Sequence, residues 1–82
     1  MSGPRNKTGK PASEDPLLLT LGEQIARTRR EAGRLQQEVA DAAGVSRSTL
    51  HTIEHGGAGV RWEKVAAVAS ALGLGIVFEP RQ

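Results

Sequence analysis

The sequence predicts an all-α domain, a compact bundle of four to five short helices followed by a single short β-strand. Apolar residues recur with helical spacing in four segments between residues 17 and 73, and a glycine stands within two residues after each segment. Only the last segment has the period of two that is typical of a strand, with Leu74, Ile76 and Phe78 at every second position. These two periodicities together predict the fold class.

Length and composition exclude several classes of protein. The 82 residues make one small domain, contain no cysteine and carry a net charge of +2. The lack of cysteine excludes a disulfide scaffold and a thiolate metal site, and no apolar run approaches the roughly 18 residues that span a membrane. So short a chain also has few residues with which to enclose a catalytic cavity. We therefore expect a small cytoplasmic binding module that is not an enzyme, needs no cofactor and has no membrane partner.

The first 16 residues differ in composition from the rest of the chain. They hold three of the four prolines and no large apolar residue after Met1. Such a segment cannot bury enough apolar surface to offset the entropy lost on ordering, so we expect a disordered N-terminal tail over residues 1–16. The folded domain is then expected over residues 17–73, and residues 74–82 form the C-terminal strand and end.

Capping residues and glycines set the expected ends of the helices. Thr20 and Ser46 are N-cap candidates for helices 1 and 3, and Gly44 can turn the chain between helices 2 and 3. In helix 4 the spacing of Trp62 with Val65 and Ala69 predicts that the indole is buried. The predicted helices cover residues 20–32, 36–43, 47–54 and 61–72.

Residues 36–54, QQEVADAAGVSRSTLHTIE, predict two short helices joined by a tight turn, which is a helix-turn-helix unit. Ala40 is small enough for the two helices to cross closely, and Leu50 and Ile53 fill the space between them. The outer face of the second helix is polar and short-chained, which suits insertion into the major groove of DNA.

This stretch resembles the Cro/CI (XRE) type of helix-turn-helix family, which contains phage repressors and related bacterial regulators. The family pattern QxxxAxxxGVSxxxLxxIE is matched by Gln36, Ala40, Gly44-Val45-Ser46, Leu50 and Ile53-Glu54. The resemblance covers about residues 19–73 and implies a lambda-repressor-like bundle in which helix 3 reads double-stranded DNA. The expected function is therefore sequence-specific regulation of transcription.

The end of the chain is similar to the HipB-like antitoxins of toxin–antitoxin operons. Helix 4 followed by LGLGIVFEP implies a strand that pairs with the same strand of a second subunit. The resemblance thus implies a homodimer on a palindromic operator, an autorepressor, and a cognate toxin as a further partner. The alternative is a protein-interaction module that neutralises a toxin or other partner, with DNA binding secondary.

The resemblance also implies roles for individual residues. Helix 3 would read bases with Arg47, Ser48 and Thr52, while Arg29 and Glu54 would form a structural ion pair between helices 1 and 3. The loop after helix 3 lacks the cations that often bind DNA phosphates in this family. Phosphate contacts must therefore come from other residues, with Lys64 as one candidate. Phosphate or supporting contacts are expected from Gln36, Ser46, His51, His55 and Arg61. The dimer strand is expected to use Leu74, Ile76, Val77 and Phe78.

Two short motifs admit other interpretations. Residues 51–55 spell HxxEH, an inverted zinc-peptidase motif, but too little chain follows to supply a third ligand and a substrate cleft, so we expect no metal. The run Gly56-Gly57-Ala58-Gly59 lacks the Lys and Ser/Thr of a phosphate-binding loop and predicts a flexible turn. Arg27, Arg30 and Arg34 are expected to form a solvated face.

Overall fold

Four α-helices make up the fold, which is all-α as predicted. The structure, a computed structural model, describes residues 15–77 and 79–80. None of the helices in this part of the chain is both long and apolar enough to span a bilayer. The helices are α1 (Pro16–Glu31), α2 (Gln36–Ala43), α3 (Arg47–Glu54) and α4 (Trp62–Ala71).

Helix α1 begins four residues earlier than the capping signals at Thr20 predict. Asp15 is the N-cap, because its side chain accepts a hydrogen bond of 2.9 Å from the backbone nitrogen of Leu17. Pro16 follows at the first helical position, where its missing N–H costs nothing and its fixed φ suits the helix. The predicted start at Thr20 is therefore wrong, and Pro16 belongs to the helix. Residues 1–14 of the predicted tail lie outside the described residues.

Helices α2 and α3 have the predicted bounds, and local chemistry explains both ends of the turn between them. Gly44 ends α2 with φ of +74°, a left-handed conformation that residues with a Cβ rarely adopt. Ser46 then caps α3, and its Oγ accepts a hydrogen bond of 3.0 Å from the nitrogen of Thr49. The turn is therefore fixed by two residues whose types are suited to their positions.

The core lies where α2 packs on α4 and on α3, and where α1 packs on α3. Four large side chains there are almost completely buried, and smaller ones fill the space between them. Burial of this kind is the main favourable term in the folding of so small a domain. The core cluster consists of Ile25, Val39, Ala40, Leu50, Ile53, Val65 and Val68.

Trp62 is not in the core, so the prediction of a buried indole is wrong. The residue is 49% exposed and stands at the first position of α4. The buried side of α4 is formed by Val65, Val68 and Ala69 instead. Trp62 borders an open groove beside Leu18 and Leu21 of α1.

The C-terminal segment adopts no strand in the described part of this single chain. The nitrogen of Leu74 donates to the carbonyl oxygen of Ala69 at 2.9 Å, which ties the segment to the end of α4. Leu74 and Ile76 are half-buried, whereas Val77 is exposed, so the expected alternation of faces is present. Phe78 lies outside the described residues, and strand pairing with a second chain stays a prediction.

Candidate nucleic-acid interface

Helix α3 is buried on one side and open to solvent on the other. Leu50, Ile53 and Glu54 face the interior, where they hold the helix against α1 and α2. The opposite face is polar, with Arg47, Ser48, His51 and His55 exposed and Thr52 half-buried. A helix fixed in this way presents a rigid polar surface of the width that a DNA major groove accepts.

The three predicted base-reading residues lie on this open face. Arg47 occupies the first position of α3, and its fork of donors matches the two acceptors on a guanine edge. The hydroxyl of Ser48 lies 3.4 Å from that of Ser46, and the hydroxyl of Thr52 donates to the carbonyl oxygen of Ser48 at 3.1 Å. Thr52 therefore offers a groove its lone pairs and its methyl group rather than a free donor.

A polar groove of about 310 Å³ runs between α3 and the start of α4. Arg61 and Lys64 are both exposed, and they stand across this groove from Ser48 and Thr52. Cations and hydroxyls in this arrangement suit the phosphate backbone of a duplex. Both cations were expected from the sequence to be candidates for phosphate contacts, but only the fold shows that they share a surface with α3. The groove is lined by Ser48, Thr49, Thr52, Gly59, Val60, Arg61 and Lys64.

Gln36 is half-buried and is engaged inside the protein. Its Nε2 donates a hydrogen bond of 3.0 Å to Oε1 of Glu54, which links the start of α2 to the end of α3. The phosphate contact that the family resemblance implies would have to use the second N–H of the same amide. The internal bond is a role that sequence reasoning missed.

The predicted ion pair between Arg29 and Glu54 is present. Nε of Arg29 lies 2.6 Å from Oε2 of Glu54, and Nη2 donates to Oε1 at 3.1 Å, so the pair is bidentate. Only 13% of the Arg29 side chain and 3% of the Glu54 side chain are exposed. The third guanidinium nitrogen donates to the carbonyl oxygen of Arg34 at 2.9 Å. Arg29 of α1 and Gln36 of α2 thus both bind the carboxylate of Glu54 at the end of α3.

The carboxylate of Glu54 is held ionised by its partners. Burial raises its pKa, but hydrogen bonds from Arg29 and Gln36 and the positive charges of Arg29 and Arg30 outweigh burial, so the pKa is lowered from 4.5. An ionised carboxylate is what a bidentate guanidinium requires. The charge is therefore structural, and it fixes α3 relative to α1.

Arg34 is not part of a fully solvated face, contrary to the prediction. It is half-buried, and its Nη1 donates to the carbonyl oxygen of Ala71 at 3.1 Å. This bond satisfies a carbonyl at the C-terminal end of α4, where the helix has no N–H of its own to offer. Arg27 and Arg30 are exposed, as predicted.

The HxxEH motif does not assemble as a catalytic site. Both oxygens of Glu54 accept hydrogen bonds from Arg29 and Gln36 in the interior, while His51 and His55 are exposed. The carboxylate therefore does not share a surface with the imidazoles and cannot act with them as a base. Within residues 15–77 and 79–80, no group of three or more His, Cys, Asp or Glu side chains could hold a metal ion.

The glycine run after α3 is a turn, as predicted, and its first two residues are hydrogen-bonded to the end of α3. The nitrogens of Gly56 and Gly57 donate to the carbonyl oxygens of Ile53 and Thr52 at 3.0 and 2.9 Å. Gly56 has φ of +71°, and a Cβ on it would lie 2.9 Å from Cα of Leu19. Glycine is needed at position 56 because the backbone of α1 passes directly over this residue.

These features define a class of protein, a small helix-turn-helix domain whose outward-facing helix suits a DNA groove. A family model described as a helix-turn-helix domain matches residues 20–77. The chain belongs to this helix-turn-helix domain family, in its Cro/CI (XRE) type, and is thus a DNA-binding regulator of transcription.

Solved structures resemble the chain over most of its length. The clp gene regulator ClgR from C. glutamicum is 34% identical, with 76% of this chain and 80% of that chain covered and a TM-score of 0.66. The restriction-modification controller protein C.AhdI from Aeromonas hydrophila is 24% identical, with 74% and 92% covered and a TM-score of 0.66. A chain of the HipA-HipB-O2-O3 complex is 16% identical, with 85% and 99% covered and a TM-score of 0.75. C.AhdI and the chain of the HipA-HipB-O2-O3 complex, each less than 25% identical, show a common fold. No curated protein gives a significant match.

Proposed function

We propose that the protein binds a specific DNA sequence as a homodimer, with α3 of each subunit in a major groove, and represses transcription, including that of its own gene. The observation that carries this proposal is the rigid polar face of α3, which is held from behind by Leu50, Ile53 and the Arg29–Glu54 pair. Arg47, Ser48 and Thr52 read bases on this face. Arg61 and Lys64 hold the adjacent phosphates across the polar groove.

Replacement of Arg47 tests the base-reading role. We expect Arg47→Ala to weaken binding to the preferred duplex by about 1–3 kcal/mol, roughly 5- to 150-fold in Kd, because a bidentate base contact is lost. The thermal midpoint should stay near that of the wild type, since Arg47 is exposed. Fluorescence anisotropy at one fixed salt concentration measures the change.

Arg27→Ala is the matched control for this experiment. Arg27 is also an exposed arginine, but it lies on α1 and outside both α3 and the polar groove. The Arg27→Ala variant removes the same charge as Arg47→Ala, so it reports only the general electrostatic contribution of one arginine to DNA binding. Equal losses of affinity in the two variants, or none in Arg47→Ala, would contradict the base-reading assignment.

The dimer is proposed from the apolar surface that one subunit leaves open. A groove of about 340 Å³ lies between the start of α1, α4 and the C-terminal segment, and it is bordered by the exposed side chains of Leu17, Trp62 and Val77. From residue 17 onward the chain carries eight Lys or Arg against seven Asp or Glu, which is weakly basic for a protein that binds DNA alone.

We expect a second copy of the chain to occupy this groove, because it would cover the apolar surface and would also add a second set of DNA contacts. Its C-terminal strand would pair with the same strand of the first copy, using Leu74, Ile76, Val77 and Phe78, and would cover the groove around the symmetry axis. Two-fold symmetry would also set the two recognition helices about 34 Å apart, which is one turn of DNA. The operator would then be an inverted repeat.

Val77→Pro tests the strand. We expect this variant to lose the dimer, because proline removes a backbone donor from the proposed ladder. Affinity for an inverted-repeat duplex should fall with it. Sedimentation equilibrium at micromolar concentration measures the mass of the wild type and the variant.

Val77→Ala serves as the control, since it shortens the exposed side chain and keeps the backbone N–H. It should remain dimeric. A monomeric wild type, or a Val77→Pro variant that stays dimeric, would refute the proposed interface.

A second candidate function is neutralisation of a partner protein, with DNA binding secondary. The apolar groove favours it, because the groove could take a partner protein in place of the second copy, and none of its lining residues belongs to α3 or to the polar groove. The test is co-expression with the product of the adjacent gene, followed by size-exclusion chromatography of the purified pair. A stable complex that Trp62→Ala disrupts would support this function, and elution of the homodimer alone would count against it.

A further inference from the structure

His51 and His55 form a pair of imidazoles on the open face of α3. They are one helical turn apart, both are exposed, and their ring centroids are 4.1 Å apart with 32° between the ring planes. They are also the only two histidines of the chain. Neither ring serves the core, so their contact is not explained by packing of the domain.

The tautomer of His55 is set by the backbone. Its Nδ1 lies 2.9 Å from the carbonyl oxygen of His51, and a carbonyl can only accept, so Nδ1 carries the proton. The neutral ring therefore has its lone pair on Nε2. Histidines that bind metal ions show this same arrangement, because a hydrogen bond from the other ring nitrogen to a backbone carbonyl orients the ring and makes it a better ligand.

We propose that His51 and His55 bind a divalent transition-metal ion of the kind that prefers imidazole, such as Zn²⁺ or Ni²⁺, through the Nε2 atom of each ring. Two nitrogens on one tetrahedral Zn²⁺ are about 3.3 Å apart, since each Zn–N bond is about 2.0–2.1 Å. The two rings are close enough for this, with centroids 4.1 Å apart, and the side chains must turn about their χ angles until the two Nε2 lone pairs converge on the ion. Both side chains are exposed and lose no core packing when they turn.

The surroundings define what kind of site this is. Glu54 is not a third ligand, because both its oxygens are bound by Arg29 and Gln36. Arg47 lies one turn before His51 on the same side of α3, but it is exposed, so water screens its repulsion of a cation. Two protein ligands leave positions for water, so the ion exchanges readily. Mg²⁺ and Ca²⁺, which require oxygen ligands, should not bind.

This inference goes beyond the proposed function and does not depend on it, because the free protein is tested without DNA. It also departs from the sequence-based expectation of no metal, which concerned a catalytic site with a third protein ligand and a substrate cleft. The experiment is calorimetric titration of the full, untagged chain with ZnCl₂ at pH 7.5, with MgCl₂ as the comparison ion. We expect one Zn²⁺ per chain and no heat of binding with Mg²⁺. His51→Gln and His55→Gln should each weaken binding at least about tenfold, because a single remaining imidazole can no longer chelate the ion.

A variant with its two histidines apart is the matched control. In the double variant His51→Gln with Ser70→His, the second histidine moves to an exposed position on α4, so the number of imidazoles is unchanged but chelation is lost. Circular dichroism confirms that each variant is folded. The proposal is overturned if the wild type binds no Zn²⁺, if either single variant binds as tightly as the wild type, or if the separated pair does.

Discussion

Glu54→Ala is expected to lower the free energy of unfolding by about 3–5 kcal/mol, because it leaves a largely buried guanidinium without its counter-charge. The same change also leaves the amide of Gln36 without its acceptor. A folded domain of roughly 65 residues has a total stability of about 3–10 kcal/mol, so this single substitution would remove much of it. Thermal and urea denaturation followed by circular dichroism at pH 7 measure the loss.

The pH dependence of this loss distinguishes an ion pair from simple packing. The pKa of Glu54 is lower in the folded state than its ordinary value of 4.5, so its contribution is complete above about that pH and is lost as the pH falls through the folded pKa. The gap between wild type and Glu54→Gln should therefore narrow on acidification. Exposed Glu23 provides the control, and Glu23→Ala should change stability by less than about 0.5 kcal/mol. An unchanged midpoint in Glu54→Ala would contradict the structural role.

Gly22→Ala is expected to destabilise the fold by about 3 kcal/mol, at the upper end of the usual cost of overpacking. Gly22 is buried in α1, and an added Cβ would overlap the carbonyl oxygen of Ile53. It would also lie 2.9 Å from both the carbonyl oxygen of Glu54 and the nitrogen of Gly56. All three atoms are backbone, so no side chain can turn away to make room.

The expected change in stability at Gly22 has the opposite sign to that at an exposed helix position. In an exposed helix interior, glycine to alanine stabilises by about 0.5–1 kcal/mol, because alanine loses less chain entropy on folding. The expected result at Gly22 is opposite, since α1 and the end of α3 are in backbone contact there. The same denaturation measurement applies, with Glu23→Ala again as the neighbouring exposed control. A higher melting temperature in Gly22→Ala would show that the helices are farther apart than described.

The parts of the fold that depend on local chemistry were predictable. Gly44 and Ser46 signal the end of α2 and the start of α3 without reference to any other part of the chain, and both helices have the predicted bounds. The start of α1 was missed because Asp15 and Thr20 are both good cap residues. Only the structure shows that the helix begins at Asp15 and Pro16.

Features that depend on how helices meet were not predictable from spacing. Trp62 has the period of a buried residue, but a period does not show how far a neighbouring helix extends, and the indole is half exposed. The close contact of Gly22 and Gly56 with other backbone segments likewise needs the packing of α1 on α3. The Arg29–Glu54 pair was expected from the family pattern, whereas the added bond from Gln36 was not.

The central claim is that two copies of α3 read a symmetric DNA site, and selection of binding sites from a random pool of duplexes tests it most directly. The full-length wild-type protein is incubated with the pool at physiological salt, and bound duplexes are amplified and sequenced over several rounds. We expect enrichment of an inverted repeat whose half-sites are centred about 10–10.5 base pairs apart. Enrichment of a single unpaired half-site, or no enrichment over the starting pool, would contradict the claim.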